Sequence, residues 1–192
     1  MAADALDVDA DAGVGGAAAA WVSELGDEVG RVAIDAPSAL STGAHAGDVA
    51  LAPKFRAARC GEVALGREHG VWVPWVSPPV GAVDVAGWIR VGLAVFEAMA
   101  AAGVDAVESY PQAVFRSLAG GARVPAKSSA EGLARRVELL RAAGVVDATL
   151  PMWGHDGLDA AACALVAADP LARAVTCGHD GSAIWLPGPG VR

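Results

Sequence analysis

Two short apolar segments, in each of which an acidic residue is soon followed by proline, constrain the fold of this chain more than any other feature. They are Arg31-Val32-Ala33-Ile34-Asp35-Ala36-Pro37 and Asp105-Ala106-Val107-Glu108-Ser109-Tyr110-Pro111. Short continuous apolar runs of this kind are typical of buried strands. Helical patterns precede both segments, and helices that alternate with buried strands favour an α/β layer structure.

Helical patterns account for much of the remaining chain. They span residues 17–25, 55–69, 85–102, 111–118, 132–143 and 156–168. Ser128-Ser129-Ala130-Glu131 is typical of a capping box at the start of the fifth helix. Residues 173–176 and 182–187 are predicted to form a hairpin with Asp180-Gly181 in its turn.

Composition places the chain among globular proteins and predicts a single domain over residues 1–192. Its residues are 54% hydrophobic and 19% charged, and the formal net charge is -8. An acidic chain does not have the basic surface that binds nucleic acid without specificity. This argument against a nucleic-acid partner is weaker for a metal-dependent nuclease, because the bound metal restores the attraction to phosphate.

The three cysteines predict a protein without a disulfide framework, in a reducing cytoplasm. Cys60, Cys163 and Cys177 are few, odd in number and form no Cys-x-x-Cys pair. Cys177-x-His179 hints at zinc, although a turn is the favoured interpretation. The longest apolar stretch, residues 94–104, is too short to cross a bilayer, so no membrane association is expected.

Four carboxylates are predicted to converge at one edge of the sheet. Asp35 and Glu108 each lie at the carboxyl end of a predicted strand, where α/β proteins place their sites. Asp156 and Asp159 are three residues apart and share one face of the last helix. Clustered carboxylates repel one another unless a cation intervenes, and Mg²⁺ or Mn²⁺ suits an all-oxygen site.

The acidic pair on the last helix has a second interpretation, and three basic residues also allow two interpretations each. Asp156 and Asp159 would stabilise the first turn of a helix through its dipole. Arg116 and Lys127 could contact phosphate or could be ordinary solvated charges. Arg59 could position a phosphate or lie on an exposed basic helix face.

Six motifs occur along the chain in an order that resembles a known family. They are Ala33-Ile34-Asp35-Ala36-Pro37; Arg59 and Cys60 with Glu62; Val107-Glu108-Ser109-Tyr110-Pro111 with Phe115-Arg116; Lys127; His155-Asp156-x-x-Asp159-Ala160; and Ile184-Trp185-Leu186-Pro187. Over residues 31–187 the chain resembles domain-of-unknown-function family 429, predicted nucleases of the RNase H fold. The resemblance implies an RNase H-like central mixed sheet flanked by helices.

The resemblance also implies positions within that fold. Asp35 would match the acidic residue at the end of the fourth strand, Glu108 would lie at the end of the fifth, and Asp156 and Asp159 would match the pair on the last helix. The family's first strand supplies one more Asp. Only 34 residues precede Asp35 here. We therefore expect an N-terminally truncated version of the fold, with residues 1–16 poorly structured or forming a remnant strand near Leu6-Asp7-Val8-Asp9.

The sequence favours a metal-dependent nuclease or phosphodiesterase. Asp35, Asp156 and Asp159 would bind Mg²⁺ or Mn²⁺, with Glu108 as a further ligand or general base. Substrate contacts would come from Arg59, Arg116 and Lys127, and the partner would be a nucleic acid. The alternative is a catalytically degenerate binding protein on the same fold. A phosphotransfer enzyme would need a Gly-rich phosphate loop, which the sequence does not have.

Overall fold

The fold is mixed α/β, as predicted. The computed structural model describes residues 8–26 and 29–189. Its helices are α1 (Val8–Glu24), α2 (Cys60–His69), α3 (Gly87–Ala101), α4 (Pro111–Leu118), α5 (Ala130–Ala142) and α6 (His155–Ala168). Its strands are β1 (Val32–Ile34), β2 (Ala106–Glu108), β3 (Arg173–Val175) and β4 (Ile184–Leu186). Short 3-10 helices occupy Pro53–Ala57 and Leu150–Met152.

The strands form two small sheets that meet at a single bridge. β1 and β2 are parallel, with Ile34 opposite Glu108, and β3 and β4 form the predicted antiparallel hairpin. A bridge between Ser109 and Trp185 joins the two sheets. Because β1 and β2 run in the same direction, their carboxyl ends lie side by side. The residues that follow them, Asp35 and Ser109, therefore lie at one edge of the sheet.

The main hydrophobic core lies between helices α4, α5 and α6 and the β3–β4 hairpin. Phe115, Leu140, Leu158 and Leu186 are completely buried there. β1 is only half-buried, whereas Val107 and Glu108 of β2 are buried, so the prediction of two buried strands holds for most of β2 alone. Helix α6 packs on β1, and its first turns lie near the carboxyl end of that strand.

The N-terminal segment is helical, which overturns the remnant-strand prediction for residues 8–16. α1 begins at Val8, so Val8 and Asp9 belong to a helix, while Leu6 and Asp7 lie outside the described residues. α1 packs closely on α3, because a Cβ atom at Gly15 would collide with the Ala94 carbonyl. Repeated alanines from residue 17 favour the helical state and let the two helices approach.

The starts of α2 and α5 also differ from the prediction. The helix expected over residues 55–69 begins at Cys60, because Ala58 and Arg59 are extended. The capping box lies here, with Arg59 and Glu62 as its two members. The box predicted at Ser128 and Glu131 is wrong by one position: Ser129 is the cap, and its hydroxyl accepts a hydrogen bond from the Gly132 amide at 3.0 Å.

The cysteine prediction is partly wrong. Cys60 and Cys177 form a disulfide with their Cα atoms 5.0 Å apart, whereas Cys163 is free and buried as predicted. The pair is separated by 117 positions, so no local spacing could indicate it.

The longest apolar stretch of the sequence, residues 94–104, was too short to predict a membrane-spanning helix. Within residues 8–26 and 29–189, none of the helices combines the length and apolar character that a bilayer crossing requires.

Candidate metal centre

A cavity of about 660 Å³ lies beside the carboxyl ends of β1 and β2. Asp35, from the end of β1, and Asp159, from α6, both line it. Lys127 lines the same cavity from the loop that precedes α5. Three charged residues that the sequence singled out are thus brought together by three separate elements.

The closest charged contact in the cavity joins Lys127 and Asp159. The Lys127 Nζ atom lies 2.7 Å from Asp159 Oδ2. Asp159 is buried, whereas about half of the Lys127 side chain is exposed. The hydrogen bond to Asp159 is the main cause of the raised pKa of Lys127, which therefore stays protonated. Gly132 permits this arrangement, because a Cβ atom there would collide with the carbonyl of Ala126, next to Lys127.

Asp35 has a strongly perturbed carboxyl group. Its side chain is accessible from the cavity, but the surrounding walls displace part of its hydration water. This desolvation is the largest cause, and the charge of Asp159 the next, of a pKa raised to about 6. Lys127 acts in the opposite direction and lowers the pKa. Asp35 is therefore a carboxylate that would gain from a further positive charge.

Two neutral neighbours report the same negative field. The pKa of Tyr110 is raised to about 12, first by burial and then by the charges of Asp35 and Asp159. The pKa of Cys163 is also raised to about 12 by burial and by the same two carboxylates. Burial is the larger cause of both shifts; the smaller contribution from Asp35 and Asp159 shows that these two carboxylates make the local potential more negative, which favours cations.

The start of α6 adds two exposed ligand atoms to Asp159. Oxygen or nitrogen atoms of His155, Asp156 and Asp159 lie within 4.8 Å of one another, close enough to hold one metal ion. His155 Nδ1 lies 2.7 Å from Asp156 Oδ1. Asp156 is exposed and acts on Asp35 only as the weakest of its charged neighbours. Of the predicted acidic pair on α6, Asp159 therefore lines the cavity together with Asp35, whereas Asp156 lies outside its lining.

Glu108 does not join these carboxylates as a free group. Its Oε1 and Oε2 atoms lie 2.6 and 2.7 Å from the Arg59 guanidinium. Oε2 also accepts hydrogen bonds from the backbone amide and the hydroxyl of Ser38, at 2.8 and 2.9 Å. These contacts use both oxygens, so they do not favour the predicted role of Glu108 as metal ligand or general base.

Arg59 lies at the centre of a buried ion network. Only 2% of its side chain is exposed, which excludes the exposed basic face considered for it. The guanidinium contacts Glu62 as well as Glu108, and the Ser77 hydroxyl donates to Glu62. Burial lowers the pKa of Arg59, but the bonds to Glu108 and Glu62 outweigh it and raise the pKa. With its donors engaged in this way, Arg59 is not placed to contact a substrate.

Arg116 lies on the cavity wall, together with residues that the sequence analysis did not single out. Arg116 donates to the carbonyl groups of Gly70 and Gly121, each at 3.1 Å. The exposed Arg123 adds a second positive charge. Trp75 meets Tyr110 edge to face, with ring centroids 5.3 Å apart, and both line the cavity. Trp75 lies in a proline-rich segment, between Pro74 and Pro78-Pro79, and this tryptophan is the sequence signal that could have indicated the aromatic wall.

Comparison with known proteins gives one match. A family model described as protein of unknown function (DUF429) matches residues 86–183, about half of the chain. The matched region includes Glu108, Lys127, Asp156 and Asp159, whereas Asp35 and Arg59 precede it. Searches of curated proteins and of solved structures returned no match.

Proposed function

The chain belongs to the DUF429 family of proteins of unknown function, and we propose that it is a metal-dependent phosphodiesterase acting on nucleic acid, with an RNase H-like fold. The observation that carries the proposal is the convergence of Asp35 and Asp159 on one cavity, with the pKa of Asp35 raised to about 6. Desolvation is the larger cause of this raised pKa and the charge of Asp159 adds to it; carboxylates perturbed in this way cluster at functional sites.

The donor set fits Mg²⁺ or Mn²⁺. Asp35, Asp156 and Asp159 offer oxygen atoms, which hard divalent cations prefer, and the field around them is negative. When bound, such an ion would supply positive charge to the phosphate oxygens and make water a better nucleophile. Glu108, the other predicted ligand, contacts Arg59 and Ser38 instead.

Lys127 and the cavity's arginines would attract the substrate. The Lys127 ammonium lies at Asp159, where a metal ion would displace it. We therefore propose that Lys127 contacts a phosphate oxygen of the substrate when the ion is bound. Arg116 and Arg123 lie on the same wall and would contact the flanking phosphates. Trp75 and Tyr110 offer aromatic surface on which an unpaired base can stack.

Glu108 and Arg59 would act as positioning residues. Glu108 binds Ser38, which lies three residues after Asp35, and Arg59 holds Glu108 in place. Residues 35–38, which follow β1, are thereby held at one end by the strand and at the other by the contact between Ser38 and Glu108. We assign the pair to the orientation of Asp35, not to contact with substrate.

The RNase H-like fold is part of the proposal. A parallel strand pair, an acidic residue after β1 and an α6 helix that brings Asp159 to the same edge agree with that arrangement. The predicted central sheet corresponds here to β1 and β2, with the β3–β4 hairpin attached through Ser109 and Trp185.

A second candidate function rests on the Lys127–Asp159 contact. A lysine among carboxylates neutralises them without a metal. In that case the cavity would bind a phosphate-bearing ligand through Lys127, Arg116 and Arg123 without cleaving it. This is the catalytically degenerate binding protein that the sequence also allows.

Calorimetry with Mn²⁺ tests the first function. We expect one ion per chain in the unaltered protein and at least tenfold weaker binding in Asp35→Asn and Asp159→Asn. Asp84→Asn is the matched control, since Asp84 is an exposed aspartate that does not line the cavity. Incubation with single- and double-stranded DNA and RNA, with Mg²⁺ or a chelator, then tests cleavage. A folded protein that binds nucleic acid equally with and without Mg²⁺, and cleaves none, would establish the second function.

A further inference from the structure

A second group of potential metal ligands lies outside the cavity. His45, Cys60 and Cys177 come from three distant parts of the chain, yet their ligand atoms lie within 4.8 Å of one another. His45 Nε2 is 3.4 Å from the Sγ atom of Cys60 and 3.3 Å from that of Cys177. His45 is 6% exposed and Cys60 is completely buried.

We propose that His45, Cys60 and Cys177 form a zinc site in the reduced protein, with His179 as the fourth ligand. Two thiolates and an imidazole are the ligands that Zn²⁺ takes in structural sites. This site is separate from the oxygen-lined cavity and does not depend on the function proposed for it.

The nitrogen-to-sulfur distances are close to those around a tetrahedral ion, whereas the two bonded sulfur atoms would have to separate to roughly 3.8 Å. Ligand lengths of about 2.3 Å for sulfur and about 2.1 Å for nitrogen place the two atoms roughly 3.6 Å apart around one ion. The two observed separations of 3.3 and 3.4 Å need to open by only a few tenths of an ångström.

The disulfide alone leaves the position of His45 unexplained. Within the described residues, the hydrogen-bond partners of His45 Nε2 are the two sulfur atoms. Sulfur is a weak acceptor, and a buried polar atom with only weak partners is costly. With the disulfide reduced, an Nε2 atom at this distance from both sulfur atoms is placed to share one metal ion with them.

His179 lies near His45 but outside the group of three ligand atoms. Its ring centroid lies 6.3 Å from that of His45, with the two rings perpendicular. Two imidazoles on one tetrahedral ion have centroids roughly 5 Å apart. His179 is exposed and lies on the turn that follows Cys177, so a small turn movement brings it to the ion.

The protein around the three ligands holds them in place. The Cys60 amide donates to Asp180 Oδ2 at 3.0 Å, and the Gly61 amide donates to the Ser182 hydroxyl at 3.0 Å. These bonds attach the start of α2 to the turn that bears Cys177 and His179. Cys60 is the first residue of α2, where the helix dipole stabilises a thiolate.

The disulfide and the zinc site are alternative states of one cysteine pair. A dithiol reductant, itself oxidised to a disulfide, supplies the two electrons and two protons that convert the Cys60–Cys177 bond into two thiols. Zn²⁺ then replaces the two thiol protons, which pass to solvent. The ion would link the loop around His45, the start of α2 and the Cys177 turn.

Metal binding by the reduced full chain tests the proposal. The protein is reduced with a dithiol, desalted without oxygen and titrated with Zn²⁺ and, separately, with Co²⁺. We expect one Zn²⁺ per chain at the thiolates, in addition to any ion that the cavity holds, and a thiolate-to-cobalt charge-transfer absorption with Co²⁺ that reports the thiolate site alone. Binding should fall at least a hundredfold in Cys177→Ser and in His45→Gln, and about tenfold in His179→Ala.

Matched variants separate this site from the cavity. Cys163→Ala removes the free cysteine, and Asp159→Asn alters the cavity; both should leave the thiolate-to-cobalt absorption unchanged. An undiminished thiolate-to-cobalt absorption in Cys177→Ser and His45→Gln would overturn the proposal. So would a reduced, folded protein that binds no zinc. Unchanged affinity in His179→Ala would overturn the assignment of the fourth ligand.

Discussion

The Lys127 ammonium lies 2.7 Å from a carboxylate oxygen of Asp159, at the position in the cavity where a metal ion would compete with it. The contact links the loop before α5 to helix α6. Its charge also lowers the pKa of Asp35 across the cavity. Lys127 is thus the internal cation of a cluster that would otherwise be strongly repulsive.

Replacement of Lys127 by methionine should tighten divalent metal binding. Two unit charges about 4 Å apart repel by about 1 to 4 kcal/mol at the dielectric constants of water and of a protein surface. Removal of the lysine charge should therefore lower the Mn²⁺ dissociation constant by about tenfold or more, as measured by calorimetry.

Arg135→Met is the matched control for this charge change. Arg135 lies on α5 and pairs with the exposed Glu138, away from the cavity. It should leave the Mn²⁺ affinity within about twofold of the unaltered protein. Equal affinities in Lys127→Met and Arg135→Met would contradict a metal position beside Lys127.

Ionisation of Asp35 should destabilise the fold as pH rises. The folded pKa of about 6 exceeds the ordinary value of 3.8, so the folded state binds more protons between these pH values. The free energy of unfolding should therefore fall from pH 4 to pH 6, relative to Asp35→Asn. Because the side chain is accessible to solvent, the difference should stay near 1 kcal/mol or below. Urea denaturation at each pH measures it.

Addition of Mg²⁺ should reverse this loss. A bound cation favours the ionised carboxylate, so 10 to 100 times its dissociation constant would stabilise the protein at pH 7 by about 1.4 to 2.7 kcal/mol. Asp35→Asn should gain much less. Without Mg²⁺, a difference in the free energy of unfolding between the unaltered protein and Asp35→Asn that stays constant from pH 4 to pH 7 would contradict the raised pKa of Asp35.

Replacement of Arg59 by methionine should strongly destabilise the protein. The change leaves Glu62 and Glu108 buried at 1% and 6% exposure without their cation. Removal of one partner from a buried pair costs about 3 to 5 kcal/mol. Urea denaturation at pH 7 should give this decrease, and a second change, Glu108→Gln, should restore part of it.

Arg67→Met provides the comparison for a surface ion pair. Arg67 lies 2.7 Å from Asp48, but 46% of its side chain is exposed. Such pairs contribute about 0 to 1 kcal/mol. A loss in Arg59→Met no larger than that in Arg67→Met would show that the buried network is not a determinant of stability.

Local patterns predicted most of the elements because their causes are local. The apolar spacing of residues 85–102 and the proline at position 111 gave helices that differ from α3 and α4 by two residues at most. The two apolar segments gave a parallel strand pair with Asp35 just beyond its end. α1 was predicted too short, because the segment before residue 17 has no apolar periodicity.

Local sequence patterns predicted the position of some of the carboxylates but not which of them are paired with a cation. Asp35 and Asp159 do meet in one cavity, since strand ends and a helix face can both be recognised from spacing. Glu108 had the same signal as Asp35, an acidic residue after an apolar run. The structure nevertheless pairs it with Arg59, 49 residues away, and no local pattern distinguishes a free carboxylate from a paired one.

The sequence by itself determined approximately where most of the strands and helices lie, because hydrogen bonding and side-chain periodicity act over a few neighbouring residues. Only the tertiary structure decided which charges are neutralised and which ligands meet. Arg59 with Glu108, and His45 with Cys60 and Cys177, are contacts between distant segments. Such contacts depend on how the elements pack, because burial brings together side chains that the chain itself keeps apart.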